Sequence, residues 1–206
     1  LGAMSSLKRI HYIGTDPNTD NYIDELGKTR YEYVADFFNS EVLETNSFWE
    51  EHKNMYHVFQ DGSELIGNNP DFQTYKGTLD LVFTSPPYFD REQYSDDSEQ
   101  SFKAYPAYED WRNNFLKPTL TTAFEYLKPN RYLLWNIASI KIGADKFHPL
   151  EEDSIFIIES LGGEYKGKLK MLMTTMTGLN PENVKNCVKV DGSYRKYEPI
   201  FIFHKK

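Results

Sequence analysis

Short apolar runs alternate with longer amphipathic segments along most of this chain. Four of the runs predict strands over 11–15, 55–59, 79–83 and 131–137, and the first three of them end in turn-forming residues. Apolar positions that recur at helical spacing predict helices over 19–38, 107–127 and 149–161. Strands that alternate with helices indicate an α/β fold with a largely parallel sheet.

Two further strands are predicted near the C-terminus, over 168–175 and 199–204, with no helical pattern between them. Because no crossover helix separates them, we expect them to pair antiparallel at one edge of the sheet. The length of 206 residues predicts a single domain over 1–206. Two polar segments, 88–106 and 176–197, are expected to be loop insertions with spare length for recognising a target.

Polar residues follow the first three predicted strands, where parallel sheets bind their ligands. These residues are Asp16, Asp61 with Gly62, and the sequence Ser85-Pro86-Pro87-Tyr88. Asp16 and Asp61 also fit plain turns, since each lies beside other turn-forming residues. The sequence therefore predicts a binding edge and leaves the roles of these two acids open.

Composition excludes several classes of protein. Hydrophobic residues make up 39% and aromatic residues 16%, which fits a chain that buries a core. The apolar runs fall short of the roughly 18 residues that span a membrane. The single Cys187, the absence of a signal-peptide pattern and five scattered histidines predict a cytoplasmic protein with no metal site.

Charge is distributed unevenly around a net value of −8. Residues 1–103 carry 8 basic and 19 acidic side chains, whereas 104–206 carry 15 basic and 12 acidic ones. The final stretch, 161–206, has 9 basic and 4 acidic residues. This basic stretch is expected to dock a polyanion or to be an ordinary solvated lysine-rich face.

The turn after the third strand is stiff. Its two prolines fix φ, remove two backbone donors and restrict Ser85 before them. The turn therefore offers acceptors only, from the Ser85 hydroxyl and nearby carbonyls, with the aromatic Tyr88 directly after it. Such an arrangement suits a planar group with an exocyclic amine. The alternative is a strand-terminating turn with a core tyrosine.

Thr84-Ser85-Pro86-Pro87-Tyr88 resembles the catalytic motif of the S-adenosylmethionine-dependent amino-methyltransferases of DNA. These enzymes carry Asp, Asn or Ser, then Pro-Pro and an aromatic residue. The Ser form is most typical of enzymes that act on cytosine N4, and the Asp and Asn forms of those that act on adenine N6. The resemblance is to phage and bacterial members, and implies a restriction-modification setting.

The resemblance extends to other segments in the family's order. Tyr12–Asp16 is similar to the second motif, whose acid binds the cofactor ribose, and Val58–Gly62 to the third, whose acid faces the adenine. Leu127–Leu134 and Glu198–Phe203 resemble later segments. The resemblance thus implies that S-adenosylmethionine is bound by Gly14, Asp16, Asp61 and Gly62.

The resemblance also implies a Rossmann-like methyltransferase fold and a reaction. Ser85, Pro86, Pro87 and Tyr88 would form the catalytic turn, with Ser85 and the Pro86 carbonyl accepting the amine hydrogens. Tyr88, Phe89, Arg91 and Tyr94 would contact the target base and DNA. Two alternatives remain: an RNA or protein methyltransferase that uses the same turn, and a non-catalytic fragment that at most binds nucleic acid.

The family's first strand and glycine-rich loop have no counterpart before Asp16. Leu1-Gly2-Ala3-Met4 looks like the helix that follows that loop in related methylases, or is a cloning remnant. The resemblance favours a domain that lacks its first motif, and we expect such a chain to bind the methyl donor weakly. The oligomeric state and the recognition sequence are not predicted.

Overall fold

The computed structural model describes residues 2–6, 8–17, 22–23, 27–45, 54–91, 100–143, 146–173 and 185–206. The chain divides into two compact units, Leu1–Phe72 and Gln73–Lys206. Whether they form the single domain predicted from the length stays a prediction.

The N-terminal unit is built around one parallel pair of strands. Its elements in chain order are β1 (His11–Thr15), β2 (Tyr22–Ile23), β3 (Lys28–Thr29), α1 (Arg30–Thr45), β4 (Met55–Phe59), a 3₁₀ turn (Ile66–Asn68) and α2 (Pro70–Gln73). β1 and β4 pair in parallel with Gly14 opposite Val58, and β2 and β3 form a short antiparallel pair. Both strands of the parallel pair therefore end at the same edge.

The buried Asn54 connects several parts of this unit through hydrogen bonds. Asn54 precedes β4, and its Nδ2 donates to the carbonyls of Met4 and Ser6 at 3.0 and 2.9 Å, while its Oδ1 accepts from Ile10 N at 2.8 Å. Asn39 of α1 donates to the Asn54 carbonyl at 3.1 Å. Because buried polar groups are costly when unpaired, these bonds hold the first residues and α1 against β4.

The C-terminal unit contains a five-stranded sheet. Its elements are β5 (Leu79–Thr84), α3 (Ser101–Ala104), α4 (Tyr108–Trp111), a π turn (Arg112–Leu116), α5 (Lys117–Tyr126), β6 (Leu127–Asn136), β7 (Ile140–Lys141), β8 (Phe147–His148), α6 (Leu150–Ser160), β9 (Glu164–Leu172), β10 (Cys187–Val190) and β11 (Ser193–Lys205). The strand order is β10–β11–β6–β5, and β9 also pairs with β11. β5 and β6 are parallel, and the other pairs of this sheet are antiparallel.

One face of this sheet is covered and the other is open. Alternate residues of β6 and β11, namely Leu133, Trp135, Phe201 and Phe203, are buried in the core with residues of the helices α4 to α6. The opposite face carries Leu81 and Phe83, whose side chains are 56% and 60% exposed. β5 is also the outermost strand of the sheet along the described part of the chain.

The predicted α/β class is confirmed: β1–β4 and β5–β6 are parallel pairs, and β11 adds antiparallel pairs to the second sheet. The helix predicted to begin at 19 begins instead at Arg30. Thr29 Oγ1 accepts from Glu32 N at 3.1 Å, and Thr29 N donates to Glu32 Oε2 at 2.7 Å. This reciprocal capping box fixes the start of α1, because it satisfies two backbone donors there.

The two predicted loop insertions contain regular structure. Segment 88–106 includes the short helix α3, while 92–99 lie outside the described residues. Segment 176–197 includes β10 and the first part of β11, joined by Asp191 and Gly192 with φ of 50° and 82°, while 176–184 lie outside the described residues. This Asp-Gly pair forms a two-residue hairpin turn, which the right-handed twist of paired strands favours. The role of both segments in target recognition stays a prediction.

No helix in the described ranges is long and apolar enough to cross a membrane.

Candidate active site

The Ser-Pro-Pro-Tyr turn leaves the sheet at the carboxyl end of β5. Ser85 is exposed and Pro86 is buried, so the serine lies at the surface while the first proline packs inward. Phe89 N donates to the Pro87 carbonyl at 3.1 Å, and Arg91 N donates to the Tyr88 carbonyl at 2.9 Å. The backbone thus closes into two successive tight turns directly after the prolines.

Phe89 anchors this turn in the core. Its backbone has φ of 40°, a left-handed conformation that is unfavourable for a bulky residue. Its ring is only 5% exposed and lies 5.3–5.6 Å, centroid to centroid, from the rings of Tyr108, Trp111 and His148. Burial of the ring offsets the backbone strain, which is how such conformations persist near functional sites. Phe89, predicted to contact the target base, therefore has its ring in the core.

The residues beneath Phe89 are themselves fixed. The Tyr108 ring stacks on His148 with centroids 4.2 Å apart, and its hydroxyl donates to Asp153 Oδ2 at 2.7 Å. Burial, together with the Asp153 carboxylate, raises the pKa of Tyr108, so the phenol stays protonated as the donor. Arg112 pairs with the same carboxylate at 2.9 Å. The turn therefore rests on a rigid aromatic layer.

Tyr88 is held by a polar chain that the sequence analysis did not identify. Its hydroxyl donates to Asn136 Oδ1 at 3.2 Å, and Asn136 Nδ2 donates to Glu198 Oε2 at 3.3 Å. Asn136 is the last residue of β6 and is 4% exposed. The register places it opposite Ile200 of β11, beside Glu198. These bonds restrict the rotation of the half-buried Tyr88 ring.

The other predicted DNA-contacting residues lie on the loop after the turn. Arg91 is exposed; its guanidinium donates to the Lys141 carbonyl at 2.6 Å and lies 3.8 Å from the Asp90 carboxylate. Tyr94 falls outside the described residues. Arg91 thus lies within a few residues of Tyr88 and ties this loop to β7.

The carboxyl edge of the N-terminal unit holds the predicted cofactor residues. Asp16 follows β1, and its backbone N donates to the Phe59 carbonyl at 3.0 Å, next to Asp61 after β4. The Asp61 carbonyl accepts from the Thr15 hydroxyl. The parallel pairing of β1 and β4 therefore brings Asp16 and Asp61 to one edge, as the sequence predicted.

Two phenols surround Asp16. The Tyr31 hydroxyl donates to Asp16 Oδ2, and partial burial together with this carboxylate raises the pKa of Tyr31 to about 12. Burial, reinforced by Asp16, also raises the pKa of Tyr12. Both tyrosines therefore stay protonated at neutral pH, and Tyr31 acts as a donor to the Asp16 carboxylate. The motif residues alone gave no signal for Tyr31, which lies in α1.

The two glycines at this edge lie against side chains of their own unit. A Cβ at Gly14 would come within 2.7 Å of the Tyr12 hydroxyl, and one at Gly62 within 2.8 Å of Glu64 Oε2. Burial raises the pKa of Glu64. Gly14 therefore makes room for the Tyr12 ring and Gly62 for the Glu64 carboxyl. Their predicted contact with a cofactor stays a prediction.

The described ranges contain no cluster of three or more His, Cys, Asp or Glu side chains arranged to hold a metal ion. Both candidate sites are instead sets of hydrogen-bonding groups. The edge of the N-terminal unit offers carboxylates with phenols, and the edge of the C-terminal unit offers a hydroxyl, carbonyls, an amide and an aromatic ring.

Comparison with known proteins gives similarity in structure only. No family model and no curated protein matches the sequence. A proposed DNA modification methylase from Thermus thermophilus, solved with S-adenosyl-L-methionine, is 19% identical with a TM-score of 0.43, over 70% of this chain and 51% of that one. The chain thus spans about half the length of that protein.

Two other solved proteins are similar over almost the whole chain. A SAM-dependent methyltransferase from Methanosarcina mazei is 12% identical with a TM-score of 0.39, over 97% of this chain and 94% of that one. A 16S rRNA (adenine(1408)-N(1))-methyltransferase variant from Catenulisporales acidiphilia is 9% identical with a TM-score of 0.38, over 97% and 88%.

Proposed function

We propose that this protein transfers a methyl group from S-adenosylmethionine to an exocyclic amine of DNA, either cytosine N4 or adenine N6. The observation that carries the proposal is the Ser-Pro-Pro-Tyr turn, whose outer side is exposed at Ser85 while Phe89 anchors it in the core. A rigid row of acceptors beside a fixed aromatic ring suits a planar amine.

The acceptors of the turn would activate a weak nucleophile. The lone pair of an exocyclic amine is delocalised into the base, so the nitrogen is a poor nucleophile. Ser85 Oγ and the Pro86 carbonyl would each accept one amine hydrogen and draw the nitrogen toward a tetrahedral geometry. Because neither proline has an N–H, the turn places no competing donor there. Alignment of the reacting atoms would then supply much of the rate. The nitrogen would form its bond to the methyl carbon as the sulfur–methyl bond breaks, the neutral thioether would leave, and the nitrogen would release one hydrogen as a proton to solvent.

The ring of Tyr88 would stack on the target base. Such a base must leave the duplex to reach the turn, and stacking is worth roughly 1–3 kcal/mol for an unstacked base. The Asn136 and Glu198 hydrogen bonds fix the plane of the ring before the base arrives. A ring that is already oriented loses little side-chain entropy on binding.

The acidic edge of the N-terminal unit fits the cofactor that this reaction needs. Ribose hydroxyls are donors, and the Asp16 and Asp61 carboxylates are acceptors placed after neighbouring parallel strands. Asp16 would hold the ribose, and Asp61 would face the adenine. S-adenosylmethionine, when bound, supplies an electrophilic methyl on its sulfonium. Tyr31 keeps the Asp16 carboxylate in place through its hydrogen bond.

The test is methyl transfer by the full chain to unmethylated DNA, with tritiated methyl donor and mass spectrometry of the nucleosides. We expect N4-methylcytosine or N6-methyladenine, and its loss in Ser85→Ala and Tyr88→Ala. Titration calorimetry should show that Tyr88→Ala leaves binding of the methyl donor unchanged. Tyr132→Ala, at an exposed tyrosine in the middle of β6, is the matched control and should stay active.

Methylated RNA or protein in place of DNA would show that the substrate class is wrong. No transfer to any of the three, with a folded protein, would reject the reaction itself. Equal loss of donor binding and transfer in Tyr88→Ala would reject the assignment of Tyr88 to the target base.

A further inference from the structure

The antiparallel strands of the C-terminal unit extend past the candidate active site. β6 ends at Asn136, which pairs with Ile200 of β11, so the part of β11 that precedes Ile200 continues beyond the carboxyl edge of β5 and β6. β10 pairs with this overhanging part over 193–196. We call residues Cys187–Tyr197 the hairpin arm. It projects from the same edge that carries the Ser-Pro-Pro-Tyr turn.

One face of the hairpin arm is continuous with the hydrogen-bonded residues that hold Tyr88. Alternate residues of a strand share a face, so Tyr194, Lys196 and Glu198 lie on the same side as one another. Glu198 bonds to Asn136, which holds Tyr88, and this identifies the side. At about 3.3 Å per residue, Tyr194 lies about 13 Å along β11 from Glu198.

This face combines an aromatic ring with cations. Lys189 pairs with Tyr194, and its ammonium lies 5.9 Å from the centroid of that ring, which is 42% exposed. Lys196 follows two residues later on the same face. Residues 187–197 contain three basic side chains against one acidic side chain, Asp191 at the turn. The arm is therefore positive although the whole chain has a net charge of −8.

We propose that the hairpin arm binds the DNA strand that flanks the target base. Tyr194 stacks with an unpaired neighbouring base, and Lys189 and Lys196 neutralise phosphates on either side of it. Aromatic rings with adjacent cations are the usual means of holding single-stranded nucleic acid, because every base offers a stacking face. This inference rests on the proposed function. It assigns the target recognition predicted for 176–197 to one surface, the hairpin arm.

The opposite end of the same strands provides a matched control. Lys166 of β9 and Lys206 after β11 lie near the amino edge, where both pair with Glu164 at 2.6 and 4.0 Å. Lys166→Gln with Lys206→Gln removes two positive charges, as does Lys189→Gln with Lys196→Gln. The two double variants have the same net charge and differ only in the end of the sheet that they alter.

The experiment measures binding of the full chain to a fluorescent single-stranded DNA oligonucleotide by anisotropy, over a series of salt concentrations. We expect Lys189→Gln with Lys196→Gln to reduce the slope of log affinity against log salt by about 1.4, since each phosphate contact contributes about 0.7 for a single strand. The Lys166→Gln with Lys206→Gln control should keep the original slope. Tyr194→Ala should weaken binding about tenfold, and Tyr194→Phe should retain it.

Thermal melts followed by circular dichroism establish that each variant is folded. An unchanged slope in the folded Lys189→Gln with Lys196→Gln variant would overturn the proposal. So would tighter binding to RNA of the same sequence. Binding that depends on the arm, in a protein that transfers no methyl group, would support the arm and reject the proposed reaction. Methyl transfer by a protein whose DNA binding is unaffected by the arm variants would support the proposed reaction and reject the role of the arm.

Discussion

The two parallel strand pairs of this protein end in edges of opposite character. β1 and β4 end in Asp16 and Asp61, with the phenol of Tyr31 beside the first. β5 and β6 end in a turn stiffened by two prolines and in the buried amide of Asn136. The first edge is a set of ionisable groups, and the second edge contains neutral groups fixed by packing.

The difference separates what each edge can do. Carboxylates attract hydroxyl and amine donors through charge, and their hydrogen bonds to a ligand are strong but depend on ionisation. A neutral turn on an aromatic layer holds its acceptors in place without any ionisable group in the turn itself, because its geometry comes from proline and from burial. The ionised edge suits binding of a polar cofactor, and the rigid edge suits orientation of a reacting group.

The largest effect on stability is expected from removing a ring of the aromatic layer beneath the turn that follows β5. Trp111 is fully buried, contacts Phe89 and Phe115, and donates from its indole N–H to Ser101 at 3.2 Å. Trp111→Ala should lower the free energy of unfolding by about 3–5 kcal/mol, measured by urea denaturation. Phe156→Ala, at a side chain 64% exposed on α6, is the control and should change it by less than about 0.5 kcal/mol. Similar losses for both would show that the layer is not part of the core.

The next effect concerns the polar chain that holds Tyr88. Asn136→Ala leaves the Tyr88 hydroxyl and the Glu198 carboxylate without this partner, at a cost of about 1–3 kcal/mol. Methyl transfer should fall in the same variant. In a Tyr88→Phe background, loss of Asn136 should lower the rate much less, because the hydrogen bond is already gone. Full additivity of the two rate effects would contradict the idea that Asn136 acts through Tyr88.

A smaller effect, confined to high pH, is expected at the ionised edge. The pKa of Tyr31 is raised to about 12 by burial and by Asp16, so folding favours the protonated phenol. The stabilisation is complete below the ordinary pKa near 10 and is lost as the pH rises through about 12. Tyr31→Phe should abolish this part of the dependence of the free energy of unfolding on alkaline pH. An absorbance titration of phenolate should show one late-titrating tyrosine fewer, and an unchanged titration would refute the assignment.

The smallest effect is expected at the far end of β5. Asp80 is 66% exposed at its side chain and accepts from Lys128 at 2.9 Å and Arg131 at 3.1 Å, which lowers its pKa. Exposed pairs of this kind contribute about 1 kcal/mol or less. Asp80→Asn should therefore cost little stability and leave methyl transfer intact. A large loss of transfer would show that function is not confined to the carboxyl edge.

The parallel strands could be predicted, and so could the longer helices of the C-terminal unit, because each has a clear apolar period. β4 lies at Met55–Phe59 as predicted, and α6 spans Leu150–Ser160 against a predicted 149–161. The apolar spacing places the start of α1 too early, because Tyr22 and Ile23 fit a helical period although they belong to a short strand. The Thr29–Glu32 capping box was the available signal for the true start.

The site was predictable only as far as its residues follow strands directly. Asp16, Asp61 and Ser85 do so, and each was identified from the sequence. Asn136 also ends a strand, but an amide after an apolar run has no distinctive pattern. Glu198 reaches the site through antiparallel pairing, since β11 approaches the edge from the opposite direction. Such contacts depend on register, which the linear sequence does not display.

Over the described residues β5 is the last strand of its five-stranded sheet, and this position has a practical consequence for the handling of the protein. An edge strand presents unpaired backbone N–H and C=O groups, and natural sheets usually protect it with charges or a bulge. Here its outward face presents Leu81 and Phe83. Two copies of the chain would find this strand a ready template for sheet extension. Self-association is therefore expected to increase with protein concentration, and Phe83→Lys should reduce it in light scattering over a concentration series.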